Sequence, residues 1–134
     1  MNERSAREWL VKAWHHYSSA LILFKVNHYT DVIAVDLHYA VELTLKSILA
    51  YNNHKIVKTH DLIEVYKFIK NTIELSEDEL DLLDIISEYH IGESYSTADR
   101  RLPPLEEIKE IIRFTDRLIL EVCSILHINQ ELLK

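Results

Sequence analysis

One glycine and two prolines in 134 residues leave this chain few means of reversing direction tightly. Hairpins and tight turns draw on glycine for left-handed φ and on proline for a preset φ, and a sheet protein of this length needs many such positions. Leucine, glutamate and lysine are plentiful instead, and these lose little rotamer freedom on a helix. The sequence therefore predicts an all-α fold: an up-and-down antiparallel bundle of about five helices with short connections. The length suits one domain over residues 1–134 and allows a core without staples.

Apolar spacing places the helices. Residues 2–26 carry Ala6, Trp9, Leu10, Ala13, Trp14, Tyr17, Ala20, Leu21 and Phe24 on one stripe. Thr30 is the expected N-cap of a second helix over 31–51, apolar almost all round and so the most buried. Thr59 is the expected cap of a third helix over 60–71. Ser76 and Glu79 form a capping box that opens a fourth helix over 76–90. Its inward positions are Leu80, Leu83, Ile86 and Tyr89 or His90, and Gly92 is its expected C-terminal cap. Pro103-Pro104 leads into a fifth helix over 105–126.

Composition excludes several function classes. The net charge of −7 argues against coating nucleic acid by bulk electrostatics, while leaving room for a local basic patch. A single glycine rules out phosphate-cradling glycine loops. Cys123 is the only cysteine, so no disulfide joins two parts of this sequence, and its apolar neighbours read as core. The longest apolar runs are interrupted by Asp36, Glu42 or Arg117, which predicts no membrane span and no membrane partner; a cytoplasmic location is the expectation. The eight histidines show no paired ligand spacing along one helix, so neither a metal nor another cofactor is expected.

Three constellations have site chemistry. His38, Glu42 and Lys46 recur at four-residue spacing and stack on one helix face. They read either as the polar lining of a groove or as an exposed stripe with a surface ion pair. Lys55, Lys58 and His60 surround a predicted helix start, where N–H groups and the helix dipole favour phosphate; the alternative is solvated lysines with His60 bonded to local backbone. Tyr95, Arg100 and Arg101 share an irregular stretch between helices, where arginine forks grip phosphate and tyrosine stacks on a base. The alternative there is a loop pinned by Tyr95.

Trp9-Leu10-x-x-Ala13, His38-x-Ala40-Val41-Glu42-x-x-Leu45-Lys46, Lys58-Thr59-His60-Asp61-Leu62 and Arg101-x-Pro103 follow one another as they do in HEPN domains, and the chain resembles that family along nearly its whole length. The resemblance implies an all-helical bundle, commonly a homodimer, whose members include partners of minimal nucleotidyltransferases, some in toxin–antitoxin pairs, and metal-independent ribonucleases. The residues matching by position are Glu42, Lys46, His60 and Arg101. The chain departs from the family's habit at Tyr39, Leu43 and Leu102. The ribonuclease branch places a histidine after an arginine with four to six residues between them, and no arginine here has one at that gap.

The expectation is thus a non-catalytic nucleotide- or RNA-binding HEPN protein, homodimeric and partnered by a nucleotidyltransferase, with Glu42, Lys46, His60, Tyr95, Arg100 and Arg101 at the ligand. The alternatives are a ribonuclease toxin using His60 or His90 as base, and a module that binds only protein.

Overall fold

The computed structural model describes residues 2–94, the last four as backbone only, and 102–134. Among these residues the chain forms five α-helices and no strand: α1 (Glu3–Lys25), α2 (Thr30–Tyr51), α3 (Leu62–Lys67), α4 (Glu77–Ser94) and α5 (Leu105–Ile125), closed by a 3-10 turn at Gln130–Leu133. The bundle expected from the scarcity of turn residues is the observed fold.

α2 occupies the centre, with 14 of its 22 residues buried. It packs against α1, α3, α4 and α5, which explains why its sequence is apolar on every side. Buried stripes on its neighbours are Ala6, Leu10, Ala13, Tyr17 and Ala20 on α1, Leu83, Ile86 and Tyr89 on α4, and Ile108, Ile111, Phe114, Leu118 and Val122 on α5; those on α1 and α4 are positions the periodicity marks. Cys123 lies buried among them, and burial pushes its thiol pKa up, consistent with an inert core position. Leu21, assigned to the inward stripe of α1, is instead exposed.

Polar bonds stitch the packed faces together. Ser19 donates to Asp36 at 2.7 Å, joining α1 to α2. Tyr17 donates to Asp116 at 3.3 Å and Tyr89 to Glu107 at 2.6 Å, tying α1 and α4 to α5. The backbone N–H of Leu62 donates to Ser87 Oγ at 3.0 Å and seats α3 on α4.

The helix ends show how the chain turns with so little glycine. Asn27, Asn53 and His127 take left-handed φ of 58°, 55° and 56°, just past α1, α2 and α5. In each case the next residue's N–H returns to the carbonyl five positions back: His28 to Leu23 (3.0 Å), His54 to Leu49 (2.9 Å) and Ile128 to Cys123 (2.9 Å). The left-handed residue's own N–H bonds three positions back. Orphan carbonyls are thereby satisfied in the way usually reserved for glycine.

Four local expectations are corrected. Gly92 does not cap α4, which runs on to Ser94. Thr30 is the first residue of α2, with Tyr29 at the N-cap and no side-chain cap bond. Asp61, not Thr59, caps α3: its carboxylate accepts from Ile63 N–H at 3.0 Å, while Thr59 Oγ1 accepts from Asp61 N–H. α3 is shorter than its sequence pattern, because bonds to the third residue back, Phe68 to Val65 and Ile69 to Tyr66, tighten the chain into turns. The Ser76–Glu79 capping box is present, with reciprocal bonds of 3.2 and 3.0 Å.

Left-handed backbone costs an L-residue about 1–2 kcal/mol, offset by the larger unfolded-state entropy that glycine carries. His127→Gly should therefore stabilise the fold by about 0.5–1 kcal/mol, and Asn53→Gly by less, because asparagine tolerates this region. Urea unfolding followed by circular dichroism measures both.

Candidate functional site

Four-residue spacing on α2 puts His38, Glu42 and Lys46 on one stripe, and the bundle buries that stripe to 0%, 4% and 6% exposure. The exposed-stripe reading of these residues is thereby excluded. Glu42 is the hub. Its Oε1 accepts from His38 Nε2 at 3.0 Å and from His60 Nδ1 at 2.8 Å, and its Oε2 accepts from Lys46 Nζ at 3.1 Å. Burial alone would raise the carboxyl pKa. The hydrogen bonds from His38 and His60 and the charge and hydrogen bond of Lys46 outweigh it and hold the pKa at about 2.

His38 has a further partner. Its Nδ1 lies 2.9 Å from the carbonyl of Ile86 on α4. A carbonyl and a carboxylate both only accept, so the ring satisfies the two together when both nitrogens carry protons. This bond also aligns α4 on α2.

His90 follows Ile86 by one helical turn, which brings its ring over the cluster. The His38 and His90 centroids stand 5.2 Å apart in a stacked arrangement, and His60 and His90 3.9 Å apart. Tyr39 flanks the group, edge-on to His38 at 5.5 Å. His38, His60 and His90 can each offer a ring nitrogen within 4.8 Å of the others. The side chain of His60 is half exposed. It forms, with His90, Asp61, Asp84, Ser87 and Glu88, the lining of a cavity of about 180 Å³.

Of the residues singled out from sequence, His38, Lys46 and His60 each bond to Glu42. Tyr95, Arg100 and Arg101 lie outside the described residues, in the stretch that links α4 to α5. Lys46 faces inward and braces Glu42. The second constellation separates: Lys55 and Lys58 line a different cavity of about 380 Å³ with His54, Ile56, Val57 and Phe68, whereas His60 turns to Glu42. The first N–H groups of α3 are already taken by Asp61, which removes them as a phosphate cradle. The three histidines share no ligand spacing in the sequence, because they come from α2, the segment before α3 and α4. The available signals were an imidazole on a nearly all-apolar helix and His90 one turn beyond the inward Ile86.

The model of the HEPN domain matches residues 6–126. The chain belongs to the HEPN domain family. The crystal structure of TT1696 from Thermus thermophilus superposes on this HEPN protein with a TM-score of 0.76 at 18% identity, covering 93% of this chain and 99% of that one. At that identity the likeness speaks for the bundle itself. The curated proteins contain no match to the chain. No described helix is long and apolar enough to cross a membrane.

Removing the hub leaves the buried donors of His38 and Lys46 without their acceptor. Glu42→Ala should destabilise the HEPN bundle by about 3 kcal/mol, the usual scale for breaking a buried charged pair. Glu42→Gln, which keeps the shape and one acceptor, should cost less. Chemical denaturation of the two variants at neutral pH checks the order.

Proposed function

We propose that this HEPN protein is a non-catalytic module that binds a nucleotide or a nucleic-acid end, acting as a cytoplasmic homodimer beside a small nucleotidyltransferase that performs the chemistry. The observation that carries the reading is the union of Glu42, Lys46 and His60. These positions match the family's motifs in separate parts of the chain, and hydrogen bonds join them at the edge of a cavity. No arginine is followed by a histidine with four to six residues between them, which argues against the ribonuclease branch.

In this reading His60 meets the ligand from the rim, held in place by Glu42, which Lys46 steadies from below. Arg100 and Arg101, in the stretch that follows the His90 helix, grip phosphate oxygens through their paired N–H groups, and Tyr95 packs on the base. The exposed apolar side chains Leu21, Ile22, Val26, Tyr29 and Val32, around the α1–α2 turn, suit burial against a second copy or the transferase.

Calorimetric titration with nucleoside triphosphates tests the proposal. Wild type should bind, and Arg100→Ala/Arg101→Ala should bind at least about tenfold more weakly, a loss of about 1.4 kcal/mol or more. Absence of heat with wild type, or equal affinity in both proteins, overturns it. Metal-free cleavage of defined RNAs that disappears in His60→Ala would move the chain to the ribonuclease class.

A further inference from the structure

We infer that His38, His60 and His90 form a binding site for one divalent transition-metal ion of the zinc type, with the Glu42 carboxylate at its side. The inference goes beyond the nucleotide reading and does not depend on it.

Three imidazoles with a position left for water or carboxylate make a donor set that zinc takes readily, and imidazole also suits copper and nickel. Such an ion would draw the three ring nitrogens closer together. Zinc–nitrogen bonds of about 2.1 Å put tetrahedral ligand atoms about 3.4 Å apart. Here the ligand atoms already lie within 4.8 Å of one another. The remaining closure falls on His60, which is half exposed and sits on a connection between helices rather than within one.

His38 is the fixed arm. It is fully buried, and its Nδ1 donates to the Ile86 carbonyl at 2.9 Å. That leaves Nε2 as its ligand atom and sets the ring's orientation, the role a backbone carbonyl commonly plays behind a metal-binding histidine. Glu42 Oε1 stands 3.0 Å from that same Nε2 and 2.8 Å from His60 Nδ1. An ion taken up at Nε2 replaces the hydrogen bond that this atom now makes with Glu42.

Charge favours a cation as well. The adjoining cavity is lined by Asp61, Asp84 and Glu88 and by no lysine or arginine among the described residues. Lys46, the nearby ammonium, is bonded to the other oxygen of Glu42. A dication entering this cavity would meet the attraction of three carboxylates.

The test is titration of the metal-free protein with Co²⁺, read by visible ligand-field absorption, and with Zn²⁺, read by calorimetry and by the melting temperature. Wild type should take up one equivalent with a four-coordinate cobalt spectrum and melt at a higher temperature. His60→Gln and His90→Gln should each weaken binding at least about tenfold. His15→Gln and His54→Gln, which alter exposed histidines away from the cluster, should leave it unchanged. Circular dichroism melts of the metal-free variants show that they are folded, and His38 is left intact because it is wholly buried. Lack of a saturable one-equivalent uptake by wild type overturns the inference, as does equal affinity in His60→Gln and His90→Gln. The titration contains no nucleotide, so its failure and that of the nucleotide reading are distinguishable.

Discussion

The site and the packing of this bundle depend on one buried carboxylate. Glu42 sits in the most apolar helix of the chain, where an unpaired charge would be intolerable, and it is tolerated because three donors converge on it. Two of them, His38 and Lys46, come from its own helix at the spacing that brings side chains together. The third, His60, must be delivered by the connection that leaves α2. The carboxylate thus fixes where that connection runs. Through His38 and the Ile86 carbonyl it also fixes how α4 lies against α2. A purely apolar contact would resist sliding less strongly, since packing is non-directional and hydrogen bonds are not.

The bundle draws its directional control from such bonds and from its helix ends. With glycine nearly absent, two asparagines and a histidine take left-handed conformations, and paired backbone bonds hold them there. Each of these ends sends the chain into a defined path: towards α2, towards the segment that carries His60, and towards the closing turn. The second of these links turn geometry to the site. The left-handed Asn53 begins the connection that ends with His60 against Glu42. The match in fold to the Thermus thermophilus protein at 18% identity fits the view that apolar spacing, more than particular residues, specifies the arrangement of helices.

The surface near the site offers two chemically different hollows. One joins imidazoles to carboxylates. The other combines two lysines with His54 and Phe68, whose rings lie 5.3 Å apart. Both draw on the connection between α2 and α3, and His60 belongs to the first although its sequence neighbours Lys55 and Lys58 belong to the second. A protein of net charge −7 can therefore present both kinds of local surface, because side chains a few residues apart on a non-helical stretch need not share a face.

Periodicity and the scarcity of turn residues were sufficient to declare the helices, their order, the central position of α2 and the inward faces of Leu83, Ile86 and Ile108, because burial of an apolar stripe is a local property written every three or four residues. The Ser76–Glu79 cap and the pairing of Glu42 with Lys46 were legible for the same reason, each being set within one turn of helix. What only the tertiary structure decided was whether the His38 stripe faced water or protein, that His60 bonds to Glu42 rather than to its own backbone, and that the His90 ring lies against those of His38 and His60. These depend on contacts between residues far apart in the chain. Their geometry follows from how whole helices settle against one another, and no short-range pattern encodes that.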